Sequence, residues 1–505
     1  MFLGTGSDVG KSVLAAAYCR ILRQDGYRVA PFKAQNMALN SYITPAGGEM
    51  GRAQVVQAEA AGVEPHVDMN PILLKPTSQM GSQVIVQGRA VGNFSAKEYY
   101  HYKKELVPVV RESFERLCRD YDVIVLEGAG SAVELNLKEH DLVNLSMADM
   151  ADAPCILVGD IDRGGIFAAL LGSFMLMSPH ERDRVIGFIV NKLRGDPQLF
   201  TNGIEIIESR AERPVLGVVP HFDHIVLQEE DSVALTRRMQ RAPGKGDALK
   251  IGVVRLPFIS NYTDFDCFEQ EPAAVELRYF DRPDQVFQFD AVILPGSKNT
   301  LEDLAFLQRT GLADAVAAYH KSGGTVVGIC GGYQMLGQRV LDPHRIESSL
   351  GEVSGLGLLA METEMAPDKV TSQVTAECLA KGLQNPPVPD NLCGYEIHMG
   401  RSISKGANQP LFRITSRDGR PVEAIDGLIE PEGRVWGTYI HGIFDNDAFR
   451  RDFLNDLRKR SGRENVCLSG NFSYGEWKEK QYDLLAEHVR RHTDVERIYR
   501  LMRLA

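Results

Sequence analysis

Short apolar runs alternate with amphipathic helical stretches along most of this chain. The first half contains four such runs, at 122–126, 155–158, 185–190 and 215–219, each dominated by Val, Ile and Leu. Continuous apolar runs of this length are typical of parallel strands that are buried on both faces of a sheet. Their alternation with helical patterns predicts an α/β fold built on parallel sheets.

The same pattern resumes after a polar, charge-rich stretch at 228–250. Apolar runs at 251–254, 291–294 and 325–329 predict a second set of strands, and helical patterns close the chain. At 505 residues the chain is also too long for a single hydrophobic core. We therefore expect four parts: a domain at 1–227, a linker at 228–250, a second domain at 251–446 and a helical segment at 447–505.

Composition narrows the functions that this chain can perform. Hydrophobic residues make up 44% and charged residues 24%, and no run of about 18 apolar residues offers a membrane span. The formal net charge of −11 argues against a general nucleic-acid binder. The eight cysteines are scattered without a C-x-x-C pair, which argues against a disulfide framework or a thiolate zinc site. We expect a cytoplasmic protein that binds neither nucleic acid nor membranes.

The segment at 4–12, GTGSDVGKS, has the features of a phosphate-binding loop. It follows a short apolar start and precedes an alanine-rich helical pattern. Glycines such as Gly6 and Gly10 allow backbone N–H groups to converge on phosphate oxygens at a helix N-terminus. Lys11 would reach the β- and γ-phosphates, and the Ser12 hydroxyl would hold Mg²⁺. The loop therefore predicts ATP and Mg²⁺ as cofactors.

Two details of this loop separate classes of ATP-binding protein. Gly4 lies one residue earlier than the usual spacing requires, a variant that resembles dethiobiotin synthetase and related enzymes that phosphorylate carboxylates. Gly6 stands where the dimeric partition ATPases, which are similar in fold, carry a signature lysine. A carboxylate kinase is therefore favoured over an ATP-driven switch. Since only three residues precede Gly4, we also expect the genuine start of the chain to lie upstream of Met1.

Polar residues follow three of the predicted strands, at the edge where ligands bind in open α/β sheets. Glu127 resembles the metal-binding glutamate of the carboxylate-kinase relatives, and a carboxylate there can hold Mg²⁺ beside the phosphates. Asn191 falls where those relatives place an asparagine that reads adenine. Arg163 is suited to neutralising a phosphate or a substrate carboxylate. Each of the three would also be unremarkable in a solvated turn.

Cys330 stands between a β-rich run and a helical pattern, with glycines on both sides, in the sequence GICGGYQMLG. A strained turn of this kind exposes the sulfur to substrate and leaves backbone N–H groups free to bind an oxyanion. We therefore predict that Cys330 is a catalytic nucleophile. His441 lies at the end of a short apolar strand further along the chain and is the candidate base.

This pair resembles the cysteine and histidine of class I glutamine amidotransferases, which hydrolyse glutamine to release ammonia. Most members of that class have a glutamate two residues after the histidine, where this chain has Ile443. The third member of the triad is therefore absent or supplied from elsewhere, as in the cobyric acid synthase branch. The segment at 294–300, LPGSKNT, resembles the loop that contributes the other oxyanion donor.

Both halves together resemble the cobyrinate amidating synthases, in which a carboxylate-kinase-like domain precedes a class I glutamine amidotransferase domain. The motifs of the cobyric acid synthase branch span nearly the whole chain: FKAQNMALNSY at 32–42, EMGRAQ at 49–54, EGAG at 127–130, DIDRGG at 160–165, NKLRGD at 191–196 and GYEIHMG at 394–400. The resemblance implies an ATP-binding amidoligase domain at 1–227, a glutaminase domain at 251–446 and Glu49 as a further metal ligand.

The resemblance also implies the reaction, in which the b, d, e and g carboxylates of (adenosyl)cobyrinic acid a,c-diamide become amides. A carboxylate is a poor electrophile, so ATP must first convert it to an acyl phosphate before ammonia from glutamine displaces the phosphate. Both species must be kept from water, which predicts a closed path between the domains. The partners are then corrinoid carboxylates, glutamine and ATP.

Two other classes of protein are compatible with parts of this pattern. One is another ligase of the same architecture, such as the a,c-diamide synthase or a cell-wall carboxylate amidase. The other is an ATP-driven partition protein with an added second domain. The sequence leaves open the corrinoid contacts, the third glutaminase residue and the oligomeric state.

Overall fold

The computed structural model describes residues 1–78, 81–230, 248–271, 275–380, 391–463 and 472–504. Most of the linker expected at 228–250 lies outside the described residues. No helix in these ranges is long and apolar enough to cross a lipid bilayer.

The first half of the chain contains a parallel sheet flanked by helices and, separate from it, two smaller sheets. Its strands are β1 (Phe2–Gly4), β2 (Val29–Phe32), β3 (Gln35–Met37), β4 (Ser41–Ile43), β5 (Glu49–Gly51), β6 (Ile72–Ser78), β7 (Gly81–Val86), β8 (Arg89–Ser95), β9 (Val123–Leu126), β10 (Cys155–Asp160), β11 (Val185–Leu193) and β12 (Val215–Pro220). Its helices are α1 (Lys11–Gln24), α2 (Arg52–Ala61), α3 (Ala96–Tyr102), α4 (Val107–Asp120), α5 (Leu145–Met150), α6 (Ile166–Leu176), α7 (Pro179–Arg184) and α8 (Thr201–Ala211).

The parallel strands follow the order β2-β9-β1-β10-β11-β12, where a bridge between Phe2 and Glu127 joins the first pair to the others. The carboxyl ends of β1 and β9 therefore meet at one edge of the sheet, so the loop after Gly4 lies beside Glu127. Strand β1 is as short as the sequence indicates, yet it has bonded neighbours on both sides. The expectation of residues upstream of Met1 stays a prediction.

Within the residues that the structure describes, the second half of the chain contains a 12-stranded sheet and a separate two-stranded sheet. Its strands are β13 (Leu249–Val254), β14 (Ile259–Ser260), β15 (Val275–Phe280), β16 (Ala291–Leu294), β17 (Gly296–Ser297), β18 (Thr325–Ile329), β19 (Arg339–Leu341), β20 (Glu352–Ser354), β21 (Met361–Cys378), β22 (Leu392–Ser404), β23 (Gln409–Arg417), β24 (Arg420–Ile429), β25 (Val435–Thr438) and β26 (Ile440–His441). Its helices are α9 (Asp266–Gln270), α10 (Thr300–Arg309), α11 (Leu312–Lys321), α12 (Gly331–Met335), α13 (Asp447–Arg460), α14 (Tyr474–His492) and α15 (Val495–Leu501).

Strands β15-β13-β16-β18-β25 form the parallel part of this sheet, and β24, β23 and β21 extend it in antiparallel fashion. The apolar runs expected at 291–294 and 325–329 coincide with β16 and β18, and the others begin within a few residues of observed strands. The α/β fold class, with parallel sheets in both halves, is therefore confirmed.

The helices at the end of the chain pack on both halves. Helix α13 buries Phe449 and Phe453 against Trp436 of the second sheet. Helix α14 instead returns to the first half, where Arg20 of α1 is paired with Asp483 at 2.7 Å. The segment expected at 447–505 therefore holds the two halves together, while the domain boundaries stay a prediction.

Candidate active sites

The phosphate loop is held in shape by backbone contacts. Gly10 has φ of 99°, and a Cβ there would lie 2.1 Å from Nδ2 of Asn191, so both conformation and space require glycine. The ammonium group of Lys11 donates to the carbonyls of Gly6 at 2.8 Å and Gly130 at 2.9 Å. Helix α1 begins at Lys11, so the unpaired N–H groups of its first turn lie at the phosphate loop. A helix N-terminus in this arrangement binds phosphate.

Glu127 and Ser12 lie together, as the strand order requires. The Ser12 hydroxyl donates to Oε1 of Glu127 at 2.7 Å, Lys33 donates to the same oxygen at 2.8 Å, and Gln57 donates to Oε2 at 2.6 Å. Burial by itself would raise the pKa of Glu127, but the charge of Lys33 and these hydrogen bonds outweigh it and lower the pKa. The carboxylate is therefore ionised at neutral pH.

This pair of oxygen donors fits Mg²⁺. The described residues contain no group of three or more His, Cys, Asp or Glu side chains that would hold a metal ion by themselves. Mg²⁺ in nucleotide sites is normally bound by one or two protein oxygens, with phosphates and water completing the octahedron. Ser12 and Glu127 meet that requirement.

The buried ammonium group of Lys11 is suited to binding phosphate oxygens. Burial, together with the nearby charge of Lys33, lowers its pKa to about 8, while the carboxylate of Glu127 works in the opposite direction. A buried ammonium bonded only to carbonyl oxygens gains most when phosphate oxygens replace them. The structure therefore brings Gly6, Gly10, Lys11, Ser12 and Glu127 into one site.

Asn191 and Arg163 lie at the edge of this site. Nδ2 of Asn191 donates to the carbonyl of Val9 at 2.9 Å, so the side chain braces the phosphate loop from behind. Its role in reading adenine stays a prediction. Arg163 reaches Asp8 in the loop at 3.3 Å and remains largely exposed, which keeps it available to an anion.

The structure does not bring Glu49 to Ser12 and Glu127. Its two carboxylate oxygens are taken by the ammonium groups of Lys75 at 2.9 Å and Lys369 at 2.6 Å, and the side chain is fully buried. Burial would raise the pKa of Glu49, but the two lysine charges lower it far below the usual range. Since Lys75 and Lys369 come from different halves of the chain, this position favours a structural counter-ion over a metal ligand.

A cavity of about 1340 Å³ opens beside the phosphate loop. Ser12 and Lys11 line one end of it, and Met37, Phe94 and Lys103 line another part. Typical small-molecule pockets measure about 300–1000 Å³. The space beside the loop therefore exceeds what a single small ligand needs.

The second site is centred on Cys330, which connects β18 to α12. Its backbone has φ of 51° and ψ of −108°, a conformation that non-glycine residues rarely adopt. Gly332 allows this turn because it packs against the end of β16, where a Cβ would lie 1.9 Å from the carbonyl oxygen of Leu294. Cys330 lies at the carboxyl edge of the sheet, as the sequence predicts, but it is buried and not exposed, and its thiol donates to the carbonyl oxygen of Ile397 at 3.4 Å.

His441 reaches Cys330 because β18 and β25 are neighbours. Ile329 pairs with Thr438, so the residue after one strand meets the short strand that follows the other. Nδ1 of His441 lies 2.6 Å from a carboxylate oxygen of Asp264. Burial would lower the pKa of His441, but the charge of Asp264 and the contact with Cys330 outweigh it and raise the pKa to about 10. Asp264 is therefore the candidate for the third residue that the sequence left open.

The loop at 294–300 lies against the nucleophile. A Cβ on Gly331 would be 2.8 Å from the backbone nitrogen of Ser297, and one on Gly296 would be 3.2 Å from Cε1 of His441. The residue after Cys330 is thus packed against the backbone of Ser297 in this loop. Two N–H groups in this arrangement are the donors that an oxyanion requires.

Both halves of the chain match known families of protein domains. Residues 1–233 match the CobQ/CobB/MinD/ParA nucleotide binding domain, and residues 250–449 match the CobB/CobQ-like glutamine amidotransferase domain. Cobyric acid synthase of Syntrophobacter fumaroxidans is 74% identical over all of this chain and 98% of its own length. Cobyric acid synthase of Yersinia enterocolitica is 50% identical over the same shares.

The chain belongs to the cobyric acid synthase family. It is accordingly an enzyme, a glutamine-dependent amidotransferase. Among solved structures, PurLQS from Thermotoga maritima is similar to 42% of this chain and 97% of its own, with 18% identity and a TM-score of 0.33.

Sequence reasoning missed several residues of this family member's sites. Asp264 precedes His441 by 177 positions and carries no motif, although it follows β14, which pairs with β17 in the loop at 294–300. Lys33 directly follows β2, the neighbour of β9, so the strand-end rule that found Glu127 would have found it too. Gln57 lies inside a helix, and only the packing of α2 reveals its contact with Glu127.

Proposed function

We propose that this enzyme uses ATP, Mg²⁺ and glutamine to convert the b, d, e and g carboxylates of (adenosyl)cobyrinic acid a,c-diamide to amides in cobalamin biosynthesis. Ammonia is the only species that passes from the glutaminase site to the ATP site. The cytoplasm, where ATP and glutamine are abundant, is the proposed location.

The observation that carries the proposal is that the chain contains two complementary half-sites. Ser12, Glu127 and Lys11 supply what phosphoryl transfer to a carboxylate requires, beside a cavity large enough for ATP and a bulky acceptor. Cys330, His441 and Asp264 supply what release of ammonia requires. Neither half alone makes an amide from a carboxylate, so their union favours an ATP-dependent amidoligase.

At the ATP site, an acceptor carboxylate oxygen attacks the γ-phosphorus of ATP, and ADP leaves. The N–H groups at the start of α1 and the ammonium of Lys11 bind the phosphate oxygens and stabilise their charge. Ser12 and Glu127 would hold Mg²⁺, which neutralises phosphate charge. Ammonia then attacks the acyl carbon, phosphate leaves, and the amide forms.

At the glutaminase site, the proton that Cys330 gives up is held by His441, which Asp264 keeps charged and oriented. The thiolate attacks the amide carbon of glutamine, and the N–H groups of Gly331 and Ser297 are placed to bind the resulting oxyanion. His441 donates its proton to the departing ammonia. Water then hydrolyses the thioester, releases glutamate and restores the thiol.

The experiment that tests this proposal compares two nitrogen sources in wild type and Cys330→Ser. The variant should lose glutamine-dependent amidation of the corrinoid and retain amidation with ammonium salts at alkaline pH. Each reaction should consume ATP. A folded variant that amidates with neither source, or wild type that amidates without ATP, would contradict the separation of the two half-sites.

A further inference from the structure

Helix α2 contacts both half-sites. Its first residue, Arg52, donates from Nη2 to the hydroxyl of Tyr395 at 3.0 Å, and the Tyr395 ring stacks on His441 with centroids 5.2 Å apart and planes 16° apart. Five residues further along the helix, Gln57 donates to Glu127. Five positions correspond to about 7.5 Å along the axis and about 140° around it, so the two side chains face different sites.

The hydroxyl of Tyr395 is where the two halves of the chain meet. Besides Arg52, it receives a hydrogen bond from Asn261 at 3.0 Å and donates to the carbonyl of Ser41 at 3.4 Å. Arg52 and Ser41 belong to the first half, whereas Asn261 and Tyr395 belong to the second. The position of the Tyr395 ring over His441 therefore depends on the position of the first half.

Arg52 is an unusual residue for the start of a helix, although its guanidinium lies over the rings of Tyr42 and Tyr395, 5.0 and 6.0 Å from their centroids. A cation at the first residue of a helix faces the positive end of the helix dipole, and Arg52 is only 6% exposed. In addition, Nε of Arg52, Nε2 of Gln54 and Oε1 of Gln57 are buried without a hydrogen-bond partner among the described residues. Buried polar atoms are normally paired, so the inner face of α2 has unused hydrogen-bonding capacity.

The other end of this contact lies in the ATP cavity. Gln57 bonds to the carboxylate that would hold Mg²⁺, and the backbone N–H of Ala53 donates to Glu230, which lines the same cavity. A ligand that binds Ser12 and Glu127 would compete with the hydrogen bond from Gln57 or reorient it. A displacement of α2 at Gln57 would then also move Arg52, because a helix moves as a rigid element.

We propose that Tyr395 is a positioning residue for His441. We also propose that helix α2, through Arg52, makes the position of Tyr395 depend on whether the ATP site is occupied. This inference rests on the proposed function, since it takes ATP and the corrinoid as the occupants. Its consequence is that glutamine is hydrolysed fast only when an acceptor is ready, so ammonia is not wasted.

The test measures glutamate release with and without saturating Mg-ATP and corrinoid. In wild type, saturating Mg-ATP and corrinoid should raise kcat/KM for glutamine by about fivefold or more, which is the lower end of the usual coupling between two sites. This increase is called the response. Tyr395→Phe keeps the ring over His441 and removes the hydroxyl, and Arg52→Gln removes the charge. In each variant the response should fall to within about twofold, and the double variant should lose nothing further.

Tyr319→Phe is the matched control, because it removes another buried tyrosine hydroxyl of the second half, bonded to the carbonyl of Phe289 at 3.0 Å. It should respond as wild type does. A wild-type glutaminase that ignores ATP and corrinoid, or a Tyr395→Phe enzyme with an undiminished response, would overturn the inference. Ammonium-dependent amidation is followed in parallel, and its absence in wild type would instead contradict the proposed function.

Discussion

Replacement of Asp264 by asparagine tests the glutaminase triad most sharply. Oδ2 of Asp264 lies 2.6 Å from Nδ1 of His441, and Oδ1 accepts the backbone N–H of Gly442 at 3.1 Å. Both partners donate, but an asparagine offers one acceptor oxygen and one amino group. Asp264→Asn therefore leaves either His441 or Gly442 facing an N–H group, and removes the negative charge in both cases.

The free-energy cost of this substitution follows from the burial of Asp264 and His441, which are 4% and 1% exposed. Removing one partner of a buried, hydrogen-bonded charge pair costs about 2–5 kcal/mol. At about 1.36 kcal/mol per tenfold change in rate, kcat/KM for glutamine should fall by about 30- to 5000-fold. The assay is glutamate release at saturating Mg-ATP and corrinoid. Amidation with ammonium should persist, because the ATP site is untouched.

The same substitution should change how stability depends on pH. The pKa of His441 in the folded protein, about 10, lies above the value of about 6.5 expected in the unfolded chain. The resulting stabilisation is complete below pH of about 6.5 and is lost as pH rises through about 10. The melting temperature of wild type should therefore fall more steeply over this range than that of Asp264→Asn.

Asp266→Asn makes the same chemical change in the same segment and serves as the control. It should retain most of the wild-type glutaminase rate. If kcat/KM of Asp264→Asn stayed within about twofold of wild type, the expected loss would be absent. That result would refute the assignment of Asp264 as the residue that orients His441.

Three further predictions concern single residues. Lys11→Ala should abolish amidation with glutamine or ammonium, since its charge faces phosphate, while basal glutamate release continues; amidation at the wild-type rate would contradict the ATP site. Glu49→Gln should destabilise the protein by about 3–5 kcal/mol, because buried Lys75 and partly buried Lys369 lose their counter-ion; chemical denaturation measures this, and an unchanged midpoint with a weaker requirement for Mg²⁺ would restore a metal role. Gly332→Ala should abolish glutaminase activity, because its Cβ would lie 1.9 Å from the carbonyl oxygen of Leu294; a fully active variant would show that the turn relaxes freely.

The sequence predicts residues that act through local geometry. Lys11 and Ser12 sit in a loop whose glycines dictate its shape, and Cys330 sits in a turn that its own neighbours strain, so a short motif defines each site. Glu127 directly follows an apolar strand and His441 lies at the end of one, and parallel strands end at the same edge of a sheet. The α/β fold follows from the same apolar runs.

Residues that act through packing were beyond that reasoning. Asp264 reaches His441 across 177 positions, and nothing in the spacing of the two indicates a contact. Glu49 was grouped with the metal ligands because it is a carboxylate in a family motif, yet its partners Lys75 and Lys369 depend on how the two halves dock. The contacts of Arg52 and Gln57 likewise depend on the placement of α2.

We propose that one chain transfers nitrogen from glutamine to a corrinoid at the expense of ATP. The mass of the product formed from cobyrinic acid a,c-diamide, Mg-ATP and glutamine labelled with ¹⁵N in its amide group tests this proposal. We predict a product that carries four ¹⁵N-labelled amides and does not form when ATP is omitted. A product with no labelled amide, or with labelled amides at other than four carboxylates once the reaction is complete, would contradict the account.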